Sequence, residues 1–261
     1  RGNANKIMNR VLWAAQDLGL RISSIDGGNL RNAIPREAFS LVVVPKDNKE
    51  KFLSLVNDCK AVFSSEFATP DPGLKLMAEL AEMPEKIMES DAQNKFIKTV
   101  YGVPNAVMRM STEISGIVET STNMAIVKAN DGEGKITCLL RSSVDSAKLS
   151  LGSMTQCVME LGGMEVQHDG IYPGWKPNIN STILKTMKDV YQKKFGRVPE
   201  VKVIHAGLEC GIIGAAYPKM ELISFGPTIR FPHSPDEKVN IATVEKFYTF
   251  LTATLEGIPF K

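Results

Sequence analysis

The chain has 261 residues, of which 43% are hydrophobic and 23% are charged, a composition that excludes a disordered protein. Its 31 Lys and Arg residues nearly balance 29 Asp and Glu residues, and the net charge of +2 argues against nucleic acid as a partner. All apolar runs fall short of the roughly 20 residues of a transmembrane helix, which argues against a membrane partner.

The first 170 residues alternate between helical and strand patterns. Apolar periodicity predicts helices over 5–18, from Asp47 or Asn48 onward, over 91–100 and over 145–161. Period-two patterns bounded by turn residues predict strands over 20–25, 39–45, 117–129, 135–142 and 164–167. The order helix, strands, helix and strand occurs twice along these residues. This repetition favours a doubled α+β domain with helices on one face of an antiparallel sheet.

The sequence also predicts which residues of the second helix are buried and the redox state of the four cysteines. Apolar residues at helical spacing predict the buried face of that helix: Phe52, Leu55, Val56, Cys59 and Val62. The cysteines form no CxxC pair, which is typical of reduced thiols in a cytoplasmic protein.

Residues 168–177 contain two glycines and two prolines as turn formers and show no periodicity, so we interpret them as the connection to a second unit. That unit is predicted to alternate between helices and strands: helices at 181–195, 209–215 and 241–255, strands at 201–205 and 221–225. Three helices and two strands cannot form a complete parallel layer, which indicates part of a larger α/β domain.

His233 is the first candidate site residue, because it is one of only three histidines and follows a predicted strand. Pro232 precedes it, and Ser234 with Pro235 favours a tight turn after it, so its backbone has little freedom. This environment suits a metal ligand or a proton-transfer group. A histidine in a surface turn remains the alternative.

Three more residues occupy places suited to a ligand. Gly207 follows a predicted strand, where it permits close backbone approach or simply a tight turn. Arg141 ends a strand, and its planar guanidinium suits a carboxylate, although an arginine there is commonly solvated. Asn32 can bind a ligand or close a turn.

Several segments resemble one family closely. Residues 205–237, with HAGLECG, GPTIRFPHSPDEKV and Tyr217-Pro218, resemble the C-terminal end of bacterial aminoacyl-histidine dipeptidases, which are carnosinase-like metallopeptidases with two zinc ions. The start, RGNANK, resembles the stretch that follows that family's Gly-Gly-His-Ser-Gly motif, and residues 27–38 match as well. The chain has no initiator Met, so we expect a fragment without the N-terminal part of the catalytic domain.

The resemblance implies a lid, or dimerisation-type, domain over 1–172 that lacks its first strand. It implies the C-terminal portion of an α/β zinc-peptidase catalytic domain over 173–261. His233 resembles the family's zinc ligand, and Asn32, Arg141 and Gly207 resemble residues that bind the substrate. The other metal ligands and the general base are expected upstream of residue 1, so no catalytic residue is expected in this chain.

The implied function is hydrolysis of aminoacyl-histidine dipeptides by a metal-bridged water in the full-length parent, with a small peptide as substrate. The chain by itself is expected to be inactive, because one histidine cannot hold two zinc ions or replace a carboxylate base. The alternative is a non-catalytic lid, dimerisation or substrate-binding fragment, with a homodimer formed through the lid domain.

Overall fold

The computed structural model describes residues 1–112, 114–175, 178, 180–202, 209–232 and 236–258. The chain forms two compact units, Arg1–Gly170 and Ile171–Lys261. Among the helices of the described residues, none combines the length and apolarity needed to cross a membrane.

The described part of the first unit contains four α-helices and five strands. The helices are α1 (Ala4–Ala14), α2 (Lys49–Glu66), α3 (Ser90–Gly102) and α4 (Asp145–Leu161). The strands are β1 (Arg21–Gly27), β2 (Ala38–Val43), β3 (Ala106–Met110), β4 (Val118–Asn130) and β5 (Glu133–Ser142). Helix α1 begins at Asn3, whose side chain accepts a hydrogen bond from the Lys6 amide, as expected of an N-cap asparagine.

All five strands join in one antiparallel sheet around β4. Strand β5 pairs with one edge of β4 along nearly its whole length. The opposite edge is shared, because β1 pairs with residues 127–129 and β3 pairs with residues 118–122. Strand β2 pairs with the outer edge of β1. The predicted antiparallel sheet is confirmed, and both passes of helix and strands contribute to it.

One face of this sheet packs against the helices, which confirms the predicted layering. Its buried side chains meet those of α1, α3 and α4 in one cluster, which includes Leu12, Ile22, Ile25, Ile97, Val100, Met124, Val127, Ala129 and Met159. Helix α2 packs on α1 through a second cluster of Val11, Val56 and Phe63. We call the opposite face of the sheet the open face.

A bulge in β4 keeps the same face of the strand on the core. Thr122 and Met124 are buried before the bulge, and Val127 and Ala129 are buried after it. The pairing with β5 shifts just after Met124, where Ala125 is the extra residue. The extra residue offsets the period-two alternation, which would otherwise turn the core side chains to the open face.

Side-chain amides fill the gap between β1 and β3 along the edge of β4. The amide cluster consists of Asn3, Asn5, Asn105 and Asn123. The Met124 amide donates to Asn105 Oδ1 at 2.8 Å, and its carbonyl accepts from Asn3 Nδ2 at 3.0 Å and Asn5 Nδ2 at 3.4 Å. These bonds satisfy backbone groups that a neighbouring strand would otherwise pair.

One strand prediction in the first unit was wrong, and one observed strand was not predicted. Residues 164–167 were expected to form a strand but are irregular, although Met164 and Val166 pack against the core. Strand β3 was not predicted, because all five of its residues are exposed and show no alternation of polarity.

The predicted buried face of α2 was wrong at one position. Val62 is 55% exposed, whereas Phe63 is 2% exposed and lies seven residues, or two turns, after the buried Val56. Asn48 precedes α2 as expected, but its Nδ2 donates to the carbonyl of Leu18 at 3.0 Å and does not cap the helix.

The described part of the second unit contains three helices and a short hairpin. The helices are α5 (Thr182–Phe195), α6 (Glu209–Ala216) and α7 (Ile241–Gly257), and the hairpin joins β6 (Ile229–Arg230) to β7 (Lys238–Val239). Its aromatic side chains pack edge to face or tilted, around Tyr191, Phe195, Phe225, Phe247 and Phe250.

The predicted strand at 221–225 is not a strand in the structure. Residues 221–226 are irregular, as are Val201 and Lys202 of the other predicted strand, whose remaining residues lie outside the described part. A strand needs a paired neighbour for its backbone groups. Glu221 has another role, because its carboxylate accepts from the amides of Thr182 and Ile183 at the start of α5, at 2.8 and 3.1 Å.

Candidate functional site

Asn32 lies in the loop of residues 28–37, which joins β1 to β2. The residue is exposed, but both ends of its loop are fixed. The Gly28 amide donates to the Glu37 carbonyl at 3.3 Å, and the Ala4 amide of α1 donates to the Pro35 carbonyl at 3.1 Å. Gly28 has a φ of 72°, and a Cβ there would lie 1.9 Å from the Ala125 carbonyl oxygen, so only glycine fits at this position.

Arg141 lies near the C-terminal end of β5, directly opposite Ser121 of β4. Its neighbours in the strand, Leu140 and Ser142, stand opposite the buried Thr122 and Thr120 on the core face. Because successive side chains of a strand alternate between faces, the half-buried Arg141 is directed to the open face.

Asn123 connects the loop of Asn32 with the face that carries Arg141. Its Nδ2 donates to the carbonyl oxygen of Ala33, the residue after Asn32, at 2.7 Å. Asn123 follows Ser121 by two residues and shares its face, which makes Arg141 its diagonal neighbour across the strand pair, with Cα atoms about 7–8 Å apart. The structure therefore links the Asn32 loop, through Asn123, to the strand pair that carries Arg141.

Asn123 is not predicted as a site residue from the sequence. The only signal was a polar residue at an open-face position of β4, and a solvent-facing residue gives the same signal. Its role depends on Ala33, which is 90 residues away along the chain.

The end of the first unit also contacts the Asn32 loop. Asp169 forms an ion pair with Arg31 at 3.8 Å, and the neighbouring His168 shares a hydrogen bond of 3.0 Å between its Nε2 and Gln156 Oε1 of α4. Both partners of the ion pair are exposed, so it contributes little to stability. It nevertheless places the segment after α4 beside the loop.

The other two candidate residues, Gly207 and His233, lie outside the described residues. The described flanks of His233 belong to the β6–β7 hairpin, whose strands pair Arg230 with Lys238. Phe231, directly after β6, has a positive φ of 55°, and the Lys238 ammonium lies 5.4 Å from the centre of its ring. Gly207 precedes α6, which begins at Glu209.

The described residues contain no group of three His, Cys, Asp or Glu side chains placed to hold a metal ion. These residues alone therefore do not form the expected zinc centre. The expected ligand, His233, is not among them.

One comparison matches the N-terminal part of the chain to a family model. The family model of a peptidase dimerisation domain matches residues 1–70. This region extends from α1 through the Asn32 loop to α2. The antiparallel sheet with helices on one face is the architecture that the expected lid domain required.

Two particular proteins are similar to the whole chain. The cytosol non-specific dipeptidase of Escherichia coli (strain K12) is 40% identical over all 261 residues, which cover 54% of its own length. The structure of aminoacylhistidine dipeptidase from Vibrio alginolyticus matches with a TM-score of 0.90 and 43% identity, over 100% of this chain and 54% of that one.

These relatives confirm the resemblance that the motifs indicated. The similarity extends over the complete chain, and both relatives are dipeptidases by name. The chain spans about half of the length of each relative.

Proposed function

We propose that this chain is the lid domain, over 1–172, and the C-terminal portion of the catalytic domain, over 173–261, of a zinc dipeptidase. The proposed substrates are aminoacyl-histidine dipeptides, a class that the name of the Vibrio relative specifies. The name of the Escherichia coli relative supports a cytoplasmic location and suggests that other dipeptides also serve as substrates.

The observation that carries the proposal is the hydrogen bond from Asn123, the diagonal neighbour of Arg141 across β4 and β5, to Ala33 in the Asn32 loop. A dipeptide has a free carboxylate one residue from its scissile carbonyl, so its recognition needs a cation and a hydrogen-bond donor a short distance apart. The guanidinium of Arg141 suits the carboxylate, which it can bind through two parallel hydrogen bonds. The amide of Asn32 suits the carbonyl oxygen and the oxyanion that develops from it.

His233 would supply one zinc ligand, and the backbone at Gly207 would contact the substrate. The remaining ligands and the general base belong, in this proposal, to the part of the relatives that the chain does not span. Zinc, when bound, lowers the pKa of a water molecule and polarises a carbonyl group. The residues of this chain contribute substrate binding and orientation.

The test is replacement of Arg141 by Ala in the full-length protein. We expect kcat/KM for a dipeptide with a free C-terminal carboxylate to fall by roughly ten- to a hundredfold, because a charged hydrogen-bonded contact is lost. Hydrolysis of the same dipeptide as its C-terminal amide should change much less.

Lys135→Ala is the matched control, because Lys135 stands on the same strand and, opposite Lys128, on the same face. It should leave both rates unchanged. Equal losses on the acid and the amide in Arg141→Ala would contradict carboxylate recognition. Absence of any dipeptidase activity in the full-length protein would contradict the proposed function as a whole.

A second role, self-association through the first unit, is favoured by the match to a dimerisation domain and by strand β3. All residues of β3 are exposed, and among the described residues β3 pairs only with β4. Its outer edge therefore presents backbone groups that another strand can pair. We expect a homodimer of the full-length protein in light scattering, and a monomer after Val107→Lys with Met108→Lys.

A further inference from the structure

We propose that Asn123 is a positioning residue of the dipeptide site: it holds the loop that presents Asn32 in register with Arg141. This inference rests on the proposed function, and it assigns a role to a residue that contacts neither substrate nor metal in the proposal. Its evidence is the hydrogen bond from Asn123 Nδ2 to the Ala33 carbonyl oxygen at 2.7 Å.

The position of Asn123 in the sheet explains why this bond matters. Residues 123–126 of β4 lie between the parts paired with β1 and β3, so the edge of β4 has no neighbouring strand there. The loop 28–37 passes this gap and does not join the ladder. Of the hydrogen bonds between the loop and the rest of the first unit, those of Gly28 and Ala4 act on its two ends, and the bond from Asn123 acts beside Asn32. The ion pair of Arg31 with Asp169 also lies beside Asn32, but both partners are exposed and it contributes little.

The oxygen of the Asn123 side-chain amide also has a hydrogen-bond partner. Its Oδ1 accepts from Asn3 Nδ2 at 3.2 Å, and Asn3 also donates to the Met124 carbonyl and to Asn105 Oδ1. The acceptor and donor atoms of the Asn123 amide are therefore both used, which fixes its orientation. Its diagonal neighbour on the same face is Arg141, so one rigid strand pair sets the position of both substrate contacts.

A double-mutant cycle in the full-length protein tests this role. Asn123→Ala should lower kcat roughly tenfold with a smaller change in KM, because misplacement of a group that stabilises the transition state costs rate more than binding. If Asn123 acts through the Asn32 loop, adding Asn123→Ala to Asn32→Ala should cause little further loss. Multiplicative losses in the double variant would overturn the proposal.

Two asparagine variants serve as controls. Asn130→Ala changes an exposed residue at the end of the same strand, whose side chain bonds Asp131 at 2.9 Å, and should leave kcat unchanged. Asn105→Ala removes another member of the amide cluster, which contacts Met124 and Asn3 but not the loop. It should lower stability without the same loss of kcat. An equal loss of kcat in Asn105→Ala would show a general structural effect and overturn the proposal.

Hydrogen exchange separates this inference from the proposed function. In Asn123→Ala, amides of residues 29–34 should exchange several-fold faster, whereas those of β5 should not change. Unchanged exchange in the loop would overturn the inference even in an active enzyme. Faster exchange in a protein without dipeptidase activity would support the contact and contradict the proposed function. If Asn123→Ala does not fold, Asn123→Ser keeps a short donor at the same place and should show smaller effects in the same direction.

Discussion

Asn5 and Gly27 lie in direct contact inside the amide cluster of the first unit. Asn5 Nδ2 donates to the Gly27 carbonyl at 3.4 Å, and a Cβ at position 27 would lie 1.8 Å from Asn5 Oδ1. Asn5 is fully buried, so its amide cannot move aside to make room for a Cβ atom at position 27. The last residue of β1 must therefore be glycine for packing reasons, although its φ is not positive.

We accordingly expect Gly27→Ala to destabilise the protein by about 1–3 kcal/mol, the usual cost of overpacking a close-packed interior. Urea unfolding of the full-length protein measures this change. Gly73→Ala is the control, because a Cβ at position 73 meets nothing within 4 Å. Equal stabilities of the two variants would contradict the contact.

The side chain of Lys6 in α1 caps the C-terminal end of α3. Its ammonium donates to the carbonyls of Val100, Tyr101 and Val103 at 2.6, 3.0 and 2.5 Å. A cation at a helix C-terminus satisfies carbonyls that have no partner within the helix. Burial lowers the pKa of this ammonium to about 8, so a partial proton loss is expected in mildly alkaline buffer.

Lys6→Met should therefore lower the free energy of unfolding at pH 7 by roughly 1.5–3 kcal/mol, the usual range for hydrogen bonds to a charged group. Denaturant unfolding checks the value. Lys98→Met, on the exposed side of α3, should be close to neutral. A neutral effect of Lys6→Met would show that water satisfies these carbonyls equally well.

The thiol of Cys138, on the core face of β5, predicts that the stability of the protein depends on pH. Burial raises its pKa to about 12, against a smaller opposing effect of the Lys6 ammonium. In the unfolded chain the thiol ionises near pH 8.5. Above that pH the unfolded state binds fewer protons than the folded state, so this thiol makes stability fall as pH rises towards 12.

Comparison of the natural protein with Cys138→Ala isolates this effect. Cys138→Ala should be the less stable protein at pH 7 because of the lost packing. The difference between the free energies of unfolding of the two proteins should become smaller between pH 8.5 and 10, because only the natural protein loses stability there. In the native protein at pH 8, the exposed Cys157 should react with a thiol reagent well before Cys138. A difference that is constant with pH, or early labelling of Cys138, would contradict the buried thiol.

Glu221 of the second unit stabilises the start of α5 from outside the helix. Its bonds with the amides of Thr182 and Ile183 lower the pKa of its carboxyl group. A carboxyl whose folded pKa is lowered contributes stability above its unfolded pKa of about 4.3, and this contribution is lost as the pH falls below it.

Glu221→Ala should therefore lower the melting temperature at pH 7, and the difference from the natural protein should shrink towards pH 3. Calorimetry at several pH values measures this trend. Glu245→Ala, at an exposed position of α7, should leave the melting temperature unchanged at both pH values. A loss of equal size at pH 3 would mean that the charge of Glu221 is not what stabilises the helix.

The sequence by itself determined the helices, the long hairpin of β4 and β5, and the resemblance to dipeptidases. Apolar residues at helical spacing are a local property, and the fixed motifs at residues 27–38 and 205–237 need no tertiary information. Strand β3 was not predicted, because a fully exposed strand lacks the alternation of apolar and polar residues that marks a half-buried strand. The segment 221–225 was wrongly predicted because a mainly apolar run does not say whether a partner strand is present, and the structure leaves this segment partly exposed.

Only the tertiary structure decided which residues share a face. Asn32 and Arg141 are more than a hundred positions apart, and the proposed site depends on the register of β5 on β4, which directs Arg141 to the open face, and on one hydrogen bond from Asn123 to Ala33. A one-residue shift in that register would turn Arg141 to the core. Register results from the packing of the whole core face and from the bulge at Ala125, which no local pattern specifies.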